Sequence, residues 1–367
     1  MKSGCVVQMS DAKARRIRKA LVRWYLKHKR NMPWRETSDP YRIWLSEVML
    51  QQTQVKTVIP YYQRFLEQFP TIKDLAHSDL QEILKMWEGL GYYARARNFH
   101  RAAGVVIREY GGHVPADWET FLTLPGVGEY TAAAVLSLAF GHAHAVVDGN
   151  VKRVLSRLFV IEDPVNKPKA YQQFKHIAGT LLDRKQPGNF NQAIMELGAL
   201  ICKPANPVCD LCPVQADCMA YLTGQVDAFP KKEKRKPIPT RLMVAGVIRK
   251  KDRVLIVRRK TEGLLGGLWE FPGGEIRPGE DAAAGCIRTI REKAGLRVSI
   301  DKHLSNVNHA YTHFKIHLTV FTCQVRPGSR VRLSGPVDFD WVRPEQLDNY
   351  AFPKANLKFM HLLDSAS

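Results

Sequence analysis

Leu124-Pro-Gly-Val-Gly-Glu-Tyr-Thr-Ala132 is the stretch on which the reading of this chain turns. Pro125 and Gly126 make a tight turn, and the glycines at 126 and 128 remove the Cβ atoms that would keep another molecule at a distance. The apolar run Thr131–Phe140 follows, so a helix starts near Tyr130. Backbone N–H groups of such a turn, with the N-terminal end of the next helix, can hold a phosphate. Further on, Val146-Val-Asp-Gly-Asn150 opens a second expected helix, Val151–Leu158. Asp148 stands where an N-cap carboxylate would, and the helix macrodipole favours its ionised form. A simple cap and a functional carboxylate both suit that position.

Outward from this turn, the chain reads as helical from Asp11 to about Gly224. Ile17, Leu21, Trp24 and Tyr25 recur at helical spacing over Asp11–Lys29. Tyr41–Phe69 resumes the period, with Pro60 expected to end or kink it. Further helices are expected at Leu80–Trp87, Tyr92–Glu109, Lys169–Leu182 and Asn191–Ile201. Asp227–Pro239 carries three prolines and five Lys/Arg and reads as an extended basic linker. Beyond it, Leu242–Ile248, Arg253–Arg258, Lys315–Val325 and Val337–Val342 look like strands around one helix, Asp281–Ala294. The expected fold class is multidomain: an all-α body over 10–224, a linker over 225–240 and an α+β domain over 241–365.

Composition narrows the functional classes. Hydrophobic residues at 45% and charged residues at 25% exclude wholesale disorder. No apolar run approaches the ~20 residues of a membrane span. Met1–Ser10 has no apolar core of signal-peptide length, so a cytoplasmic protein without a membrane partner is expected. Lys plus Arg number 55 against 35 Asp plus Glu, a formal charge of +20 that suits a polyanion such as nucleic acid.

Four of the seven cysteines, Cys202, Cys209, Cys212 and Cys218, form a C-x6-C-x2-C-x5-C run, while Cys5, Cys286 and Cys323 are scattered. An odd total without a secretion signal argues for a metal or cluster rather than disulfides. Four thiolates suit zinc or an iron–sulfur cluster alike, although zinc modules favour paired C-x2-C units and only Cys209/Cys212 forms one. Trp44-Leu-Ser-Glu-Val-Met-Leu-Gln-Gln-Thr53 sets Glu47 in a mainly apolar stretch. Desolvation there raises a carboxyl pKa and keeps an acid at hand.

The Leu124–Ala132 string resembles a helix-hairpin-helix element, a sequence-independent grip on DNA backbone. The order hairpin, Asp148, cysteine run resembles the endonuclease III-type superfamily of DNA glycosylases. With Pro33-Trp-Arg35 and Trp87-Glu-Gly-Leu-Gly-Tyr-Tyr-Ala-Arg95 added, the chain from about Arg23 to Pro353 closely resembles the adenine DNA glycosylases of the MutY type.

That resemblance implies a base excision repair enzyme acting on double-stranded DNA. Its substrate would be adenine mispaired with 8-oxoguanine or guanine, and nothing requires an oligomer, so a monomer in a bacterial cytoplasm is expected. It implies that Glu47 protonates adenine at N7 and that Asp148 stabilises, or covalently captures, the deoxyribosyl oxocarbenium ion, with Tyr130 and Asn150 in support. Arg30, Trp34 and Gln192 would form the adenine pocket. Arg35, Gln52, Thr53, Tyr92, Gly126 and Gly128 would contact DNA, with Gln52 and Tyr92 wedged into the emptied stack. The lyase members carry a Schiff-base Lys where this chain has Tyr130, so purely hydrolytic chemistry is implied. The cysteine run, residues 202–218, matches the family's loop for one 4Fe–4S cluster, and Lys203 within it could meet phosphate.

Trp269-Glu-Phe-Pro-Gly-Gly-Glu275 resembles the entry to a Nudix box, G-x5-E-x7-R-E-U-x-E-E-x-G-U. From Gly274 onward Glu280, Arg288, Ile290, Glu292, Gly295 and Leu296 fit, but Thr289 and Lys293 stand where acidic residues belong. A divalent cation needs several oxygen ligands, so the domain is expected to read a lesion rather than hydrolyse nucleotides. His309-Ala-Tyr-Thr-His313 occupies the family's Phe-Ser-His loop, which makes Tyr311, Thr312 and His313 the expected lesion readers. The rival readings are a pyrimidine glycosylase/lyase, opposed by Tyr130, and a Nudix hydrolase, opposed by the broken box.

Overall fold

The computed structural model describes residues 9–233 and 237–363. Cys5 and the linker residues 234–236 therefore lie outside the described residues. The chain divides into two compact units, Met1–Lys73 with Arg101–Arg235, and Asp74–His100 with Lys236–Ser367.

The helices, in chain order, are α1 Asp11–His28, α2 Pro40–Leu50, α3 Val55–Gln68, α4 Ile72–His77, α5 Leu80–Met86, α6 Ala94–Tyr110 and α7 Trp118–Thr123. They continue with α8 Glu129–Ala139, α9 Gly149–Phe159, α10 Ala170–Leu181, α11 Pro187–Leu200 and α12 Met219–Leu222. Among the described residues no strand precedes Thr240. In the first unit α1 packs on α10 and α11, α2 on α8, and α9 on α10, α11 and α12. The apolar stripe of α1 (Ile17, Leu21, Tyr25) meets Val151, Leu155, Phe174 and Leu197 in one buried core.

Tyr41–Phe69 is two helices, and the break is not at Pro60. It falls between Leu50 and Val55, where Gln52 takes a left-handed backbone at φ 57°. Pro60 sits inside α3, whose opposite face buries Val58, Tyr62 and Phe65; that packing outweighs the missing N–H. Asp39 and Asp148 cap α2 and α9, accepting from Tyr41 N and Val151 N.

The linker is also more fastened than expected. A short turn at Val226–Ala228 precedes Phe229, which is fully buried, and Arg157 Nε donates to the Val226 and Phe229 carbonyls at 3.0 Å. Val165 N donates to Lys231 O, and Lys167 pairs with Glu233 at 2.7 Å. An aromatic side chain with apolar surface to bury overrides the extended habit of its proline-rich surroundings.

In the second unit seven strands form one sheet among the described residues: β1 Thr240–Lys250, β2 Arg253–Arg258, β3 Trp269–Glu270, β4 Gly273–Glu275, β5 Val298–Ala310, β6 Lys315–Val325 and β7 Asp338–Val342. The order is β3-β2-β1-β6-β5, with β4 on β1 and β7 on β2; β1 and β6 run parallel and the other pairs antiparallel. Alternation along β1 sends Val244 and Ile248 to the face covered by α13 (Ala282–Ala294). Ala245 and Val247 face the core that includes Phe359 of α14 (Lys354–Met360).

The helical body expected over 10–224 is interrupted by packing. Asp74–His100 groups with the sheet because its polar side chains bond there: Gln81 donates to Gly267 O at 3.0 Å, Arg97 to Gly266 O at 2.8 Å, and Glu88 accepts from Phe352 N at 2.8 Å. Among the described residues no helix is long and apolar enough to cross a membrane.

Candidate active site

Packing of α2 on α8 joins two residues distant in sequence: Tyr130 Oη donates to Glu47 Oε2 at 2.7 Å. Glu47 is only 4% exposed. Burial pushes its carboxyl up to about 7, the nearby Asp148 charge adds to the rise, and the Tyr130 hydrogen bond and Arg35 oppose it. The Tyr130 phenol is driven well above its usual range by burial and by the carboxylates of Glu47 and Asp148.

Asp148 is held differently. Its Oδ1 accepts from Val151 N at 2.7 Å and its Oδ2 from Asn150 Nδ2 at 3.0 Å, at the positive end of α9. Burial raises its pKa, while those two donors and Arg153 pull the other way. Asn150 is fixed in turn by Arg153 Nη2, which donates to its Oδ1 at 2.7 Å and to Gly198 O at 2.8 Å. Gly198 is needed there, since a Cβ would lie 2.6 Å from Asn150 Cβ.

Across the same space, Glu196 is held by Arg30 at 2.7 Å and Arg35 at 2.9 Å. Burial alone would raise this carboxyl, but the two guanidinium groups outweigh it and bring it to about 2. Gln192 Oε1 accepts from Tyr25 Oη at 2.8 Å and Arg35 Nε at 2.7 Å, which fixes its amide. Arg35, expected on DNA, is thus committed inside the protein, its side chain only 10% exposed.

Glu47, Tyr130, Asp148, Asn150 and Gln192 line one cavity of about 300 Å³, together with Arg30, Trp34, Arg35 and Thr53. Trp34 is buried, edge-on to Tyr62 at 5.3 Å. Glu196 and Met195 belong to the same lining and were not singled out from the sequence. Glu196 carries the signal that marked Glu47, a carboxylate in an apolar run (Ala193-Ile-Met-Glu-Leu197).

The remaining expected residues lie outside this cavity. Gly126 turns with φ 79°, and Gly128 caps α8 with open space where a Cβ would be. Gln52 is exposed on its left-handed turn. Tyr92, 41% exposed, has φ 49°, and in the second unit its hydroxyl hydrogen-bonds Thr312. Tyr311, Thr312 and His313 line a second cavity with Tyr92 and Arg95. Burial lowers Arg95 to about 10, and its guanidinium sits over the rings of Trp87 and Tyr92.

Cys202, Cys212 and Cys218 border the helical core. Arg153 Nε donates to Cys202 O at 2.7 Å, and the buried Arg157 reaches Cys202 Sγ at 3.4 Å and Lys203 O at 2.6 Å. Burial raises the Cys209, Cys212 and Cys218 thiols, and neighbouring cysteines add to it. Among the described residues no three His, Cys, Asp or Glu side chains converge closely enough to hold a single metal ion. In the box region, Arg288 binds Glu280 at 2.6 Å and Glu292 at 2.9 Å, Thr289 is buried, and Lys293 pairs with Glu270 at 3.2 Å.

A hairpin leading into α8, a carboxylate at the head of α9 and a second unit built on a mixed sheet define a helix-hairpin-helix DNA repair glycosylase with a Nudix domain. Residues 45–178 match the family model "HhH-GPD superfamily base excision DNA repair protein", and residues 243–362 match "NUDIX domain". The chain is 35% identical to the human adenine DNA glycosylase, over 93% of this chain and 73% of that protein. It is 34% identical to the adenine DNA glycosylase of Buchnera aphidicola (Schizaphis graminum), over 81% and 84%. A solved thermostable thymine-DNA glycosylase superposes with a TM-score of 0.54 at 33% identity, over 58% of this chain and 98% of that one. The chain belongs to the adenine DNA glycosylase family, whose members are base excision repair hydrolases of N-glycosyl bonds.

Proposed function

We propose that this enzyme excises adenine mispaired with 8-oxoguanine or guanine in duplex DNA, with Glu47 as the acid and Asp148 as the anion. One observation carries this reading: two carboxyls share a cavity, one buried with a single phenol partner, the other at a helix N-terminus with two donors. The first keeps its proton to near neutral pH, whereas the second has the donors to hold a negative charge.

Adenine stacked in a duplex is out of reach, so it is flipped into the cavity. The fixed amide of Gln192 leaves its NH₂ to donate to the base, and Trp34 packs in the cavity wall. Glu47 protonates adenine at N7 and weakens the glycosidic bond. As the bond breaks, Asp148 stabilises the oxocarbenium ion, and water completes the hydrolysis. Tyr130 orients Glu47 and Asn150 orients Asp148. At Tyr130 there is no amine to form an imine, so strand cleavage by that route is absent.

The cysteine run holds one 4Fe–4S cluster in this reading. Four thiols, Cys202, Cys209, Cys212 and Cys218, form the donor set, and only Cys209/Cys212 makes the C-x2-C unit that zinc modules use in pairs. The cluster's role is structural, bracing the loop beside α9; no step of the hydrolysis passes through it. Residues 10–224, apart from Asp74–His100 which groups with the sheet, form the glycosylase domain and 241–365 the lesion-reading domain, with Tyr311, Thr312 and His313 at the lesion. The enzyme acts as a monomer in this reading. The enzyme acts on the genome in the bacterial cytoplasm.

Single-turnover assays on A·8-oxoguanine, A·G and A·T duplexes test this reading. Adenine should leave the two mispairs only, and borohydride should trap no covalent adduct. Equal release from A·T, or a trapped adduct, overturns it.

A further inference from the structure

A third carboxylate of the active-site cavity, Glu196, has no part in the hydrolysis described above. It is 2% exposed and crowded with donors. Arg30 reaches it through its backbone N–H at 3.0 Å, Nε at 2.9 Å and Nη2 at 2.7 Å. Arg35 lays a planar fork on the same group, Nη1 to Oε1 at 3.1 Å and Nη2 to Oε2 at 2.9 Å. Its Nη1 also donates to Arg30 O at 2.9 Å, and the guanidinium lies over the Tyr25 ring. So anchored, Arg35 turns its Nε to Gln192 Oε1, 2.7 Å away.

That last bond decides which arm of the Gln192 amide meets the base. An amide carries an acceptor on one arm and a donor on the other, and either could face the cavity. The Tyr25 hydroxyl, 2.8 Å from Gln192 Oε1, can donate or accept, so it tolerates both settings. Guanidinium nitrogens only donate. Turning the amide over would set its NH₂ against Arg35 Nε–H, donor against donor in a buried site, and leave polar groups unpaired. Through Arg35, Glu196 therefore holds the Gln192 carbonyl towards Arg35 and the NH₂ towards the cavity.

The setting matters because purines differ at the Watson–Crick edge that a flipped base presents. Adenine has a bare N1, an acceptor that suits the NH₂, whereas guanine and hypoxanthine carry N1–H, which suits a carbonyl. An amide turned over would favour the ordinary guanines of any duplex. From the fork of Arg35 on Glu196 and its reach to Gln192, we infer that Glu196 is a positioning residue for base selection. It keeps the Gln192 NH₂ forward, so that the cavity takes purines with a bare N1 and turns away those with N1–H. The inference rests on adenine entering this cavity, as proposed above, and is independent of the base opposite.

Single-turnover release of adenine and of hypoxanthine, each opposite 8-oxoguanine in otherwise identical duplexes, tests this. Wild type should prefer adenine by at least about a hundredfold, since a site built for one hydrogen-bond pattern rejects the other strongly. In Glu196→Gln the preference should fall at least about tenfold, adenine release slowing more than hypoxanthine release, with duplex affinity unchanged. Because buried guanidinium groups without their anion can disturb folding, Arg35→Lys provides a second arm. Its ammonium keeps the charge beside Glu196 but has no fork to extend to Gln192, so the same loss of preference is expected. A purely structural role would slow both bases alike. Two results would overturn the inference: a wild type that releases the two bases equally, or variants in which both bases slow by one factor and the preference survives. Adenine leaving A·T as fast as the mispairs overturns the proposed substrate alone, because the adenine-to-hypoxanthine ratio is read independently of it.

Discussion

Two carboxyls in one cavity cannot both carry full charge cheaply, and their hydrogen bonds decide which one keeps the proton. Glu47 has one phenol and deep burial; Asp148 has a backbone N–H, an amide and a helix end. For Glu47 the folded-state value is raised from 4.5 to about 7, so the folded protein binds the proton more tightly than the unfolded chain. Stability linked to this group is present below about pH 4.5 and is lost as pH rises towards 7, by roughly 3 kcal/mol at about 1.4 kcal/mol per pH unit. Glu47→Gln should therefore remove most of that loss, making the variant more stable than wild type at pH 8 in urea titrations. The same variant should slow adenine release about a thousandfold, within the range of acid–base catalysis, while binding the mispaired duplex normally. Glu47 was legible because a carboxylate in an apolar run stands out. Glu196 carries the same signal but its partners, Arg30 and Arg35, lie far away in sequence, so its ion-paired role emerged only with the fold.

The site depends on how closely its helices approach. Gly198 on α11 gives way to Asn150 at the start of α9, and a methyl there would meet backbone as well as side-chain atoms. Gly198→Ala, which favours an isolated helix, should here destabilise the protein by about 1–3 kcal/mol in denaturant titrations and sharply slow base release. Gln52, between α2 and α3, pays for a left-handed backbone. Gln52→Gly should relieve about 1 kcal/mol of that strain and yet reduce excision from mispairs, if this side chain enters the stack. Helices with a long apolar period were readable to within a few residues. The six-residue helices α4 and α7 were missed because they are too short to show a period. Strand β5 was missed because its register shifts, at Ile300/Lys302 and His303/Ser305, break the alternation that marks a strand.

At the scale of the molecule, the formal charge of +20 faces a polyanion. Affinity for any duplex should fall steeply between about 50 and 200 mM salt, matched and mispaired DNA alike, as condensed counterions cease to be released. Fluorescence anisotropy at several salt concentrations would measure the slope; a flat response would contradict a phosphate-based grip. The two-part architecture was legible from the change of texture after the prolines at 237 and 239. The grouping of Asp74–His100 with the sheet was not, because it rests on bonds such as Gln81 to Gly267 that no local pattern announces. The most direct test of the account is the pH dependence of single-turnover adenine release from an A·8-oxoguanine duplex. The rate should fall tenfold per pH unit above about pH 7, as Glu47 loses its proton, and the Glu47→Gln protein should show only a residual rate without that limb. A wild-type rate that stays level to pH 9, or a Glu47→Gln protein that excises as fast as wild type, would contradict the assignment of Glu47 as the acid.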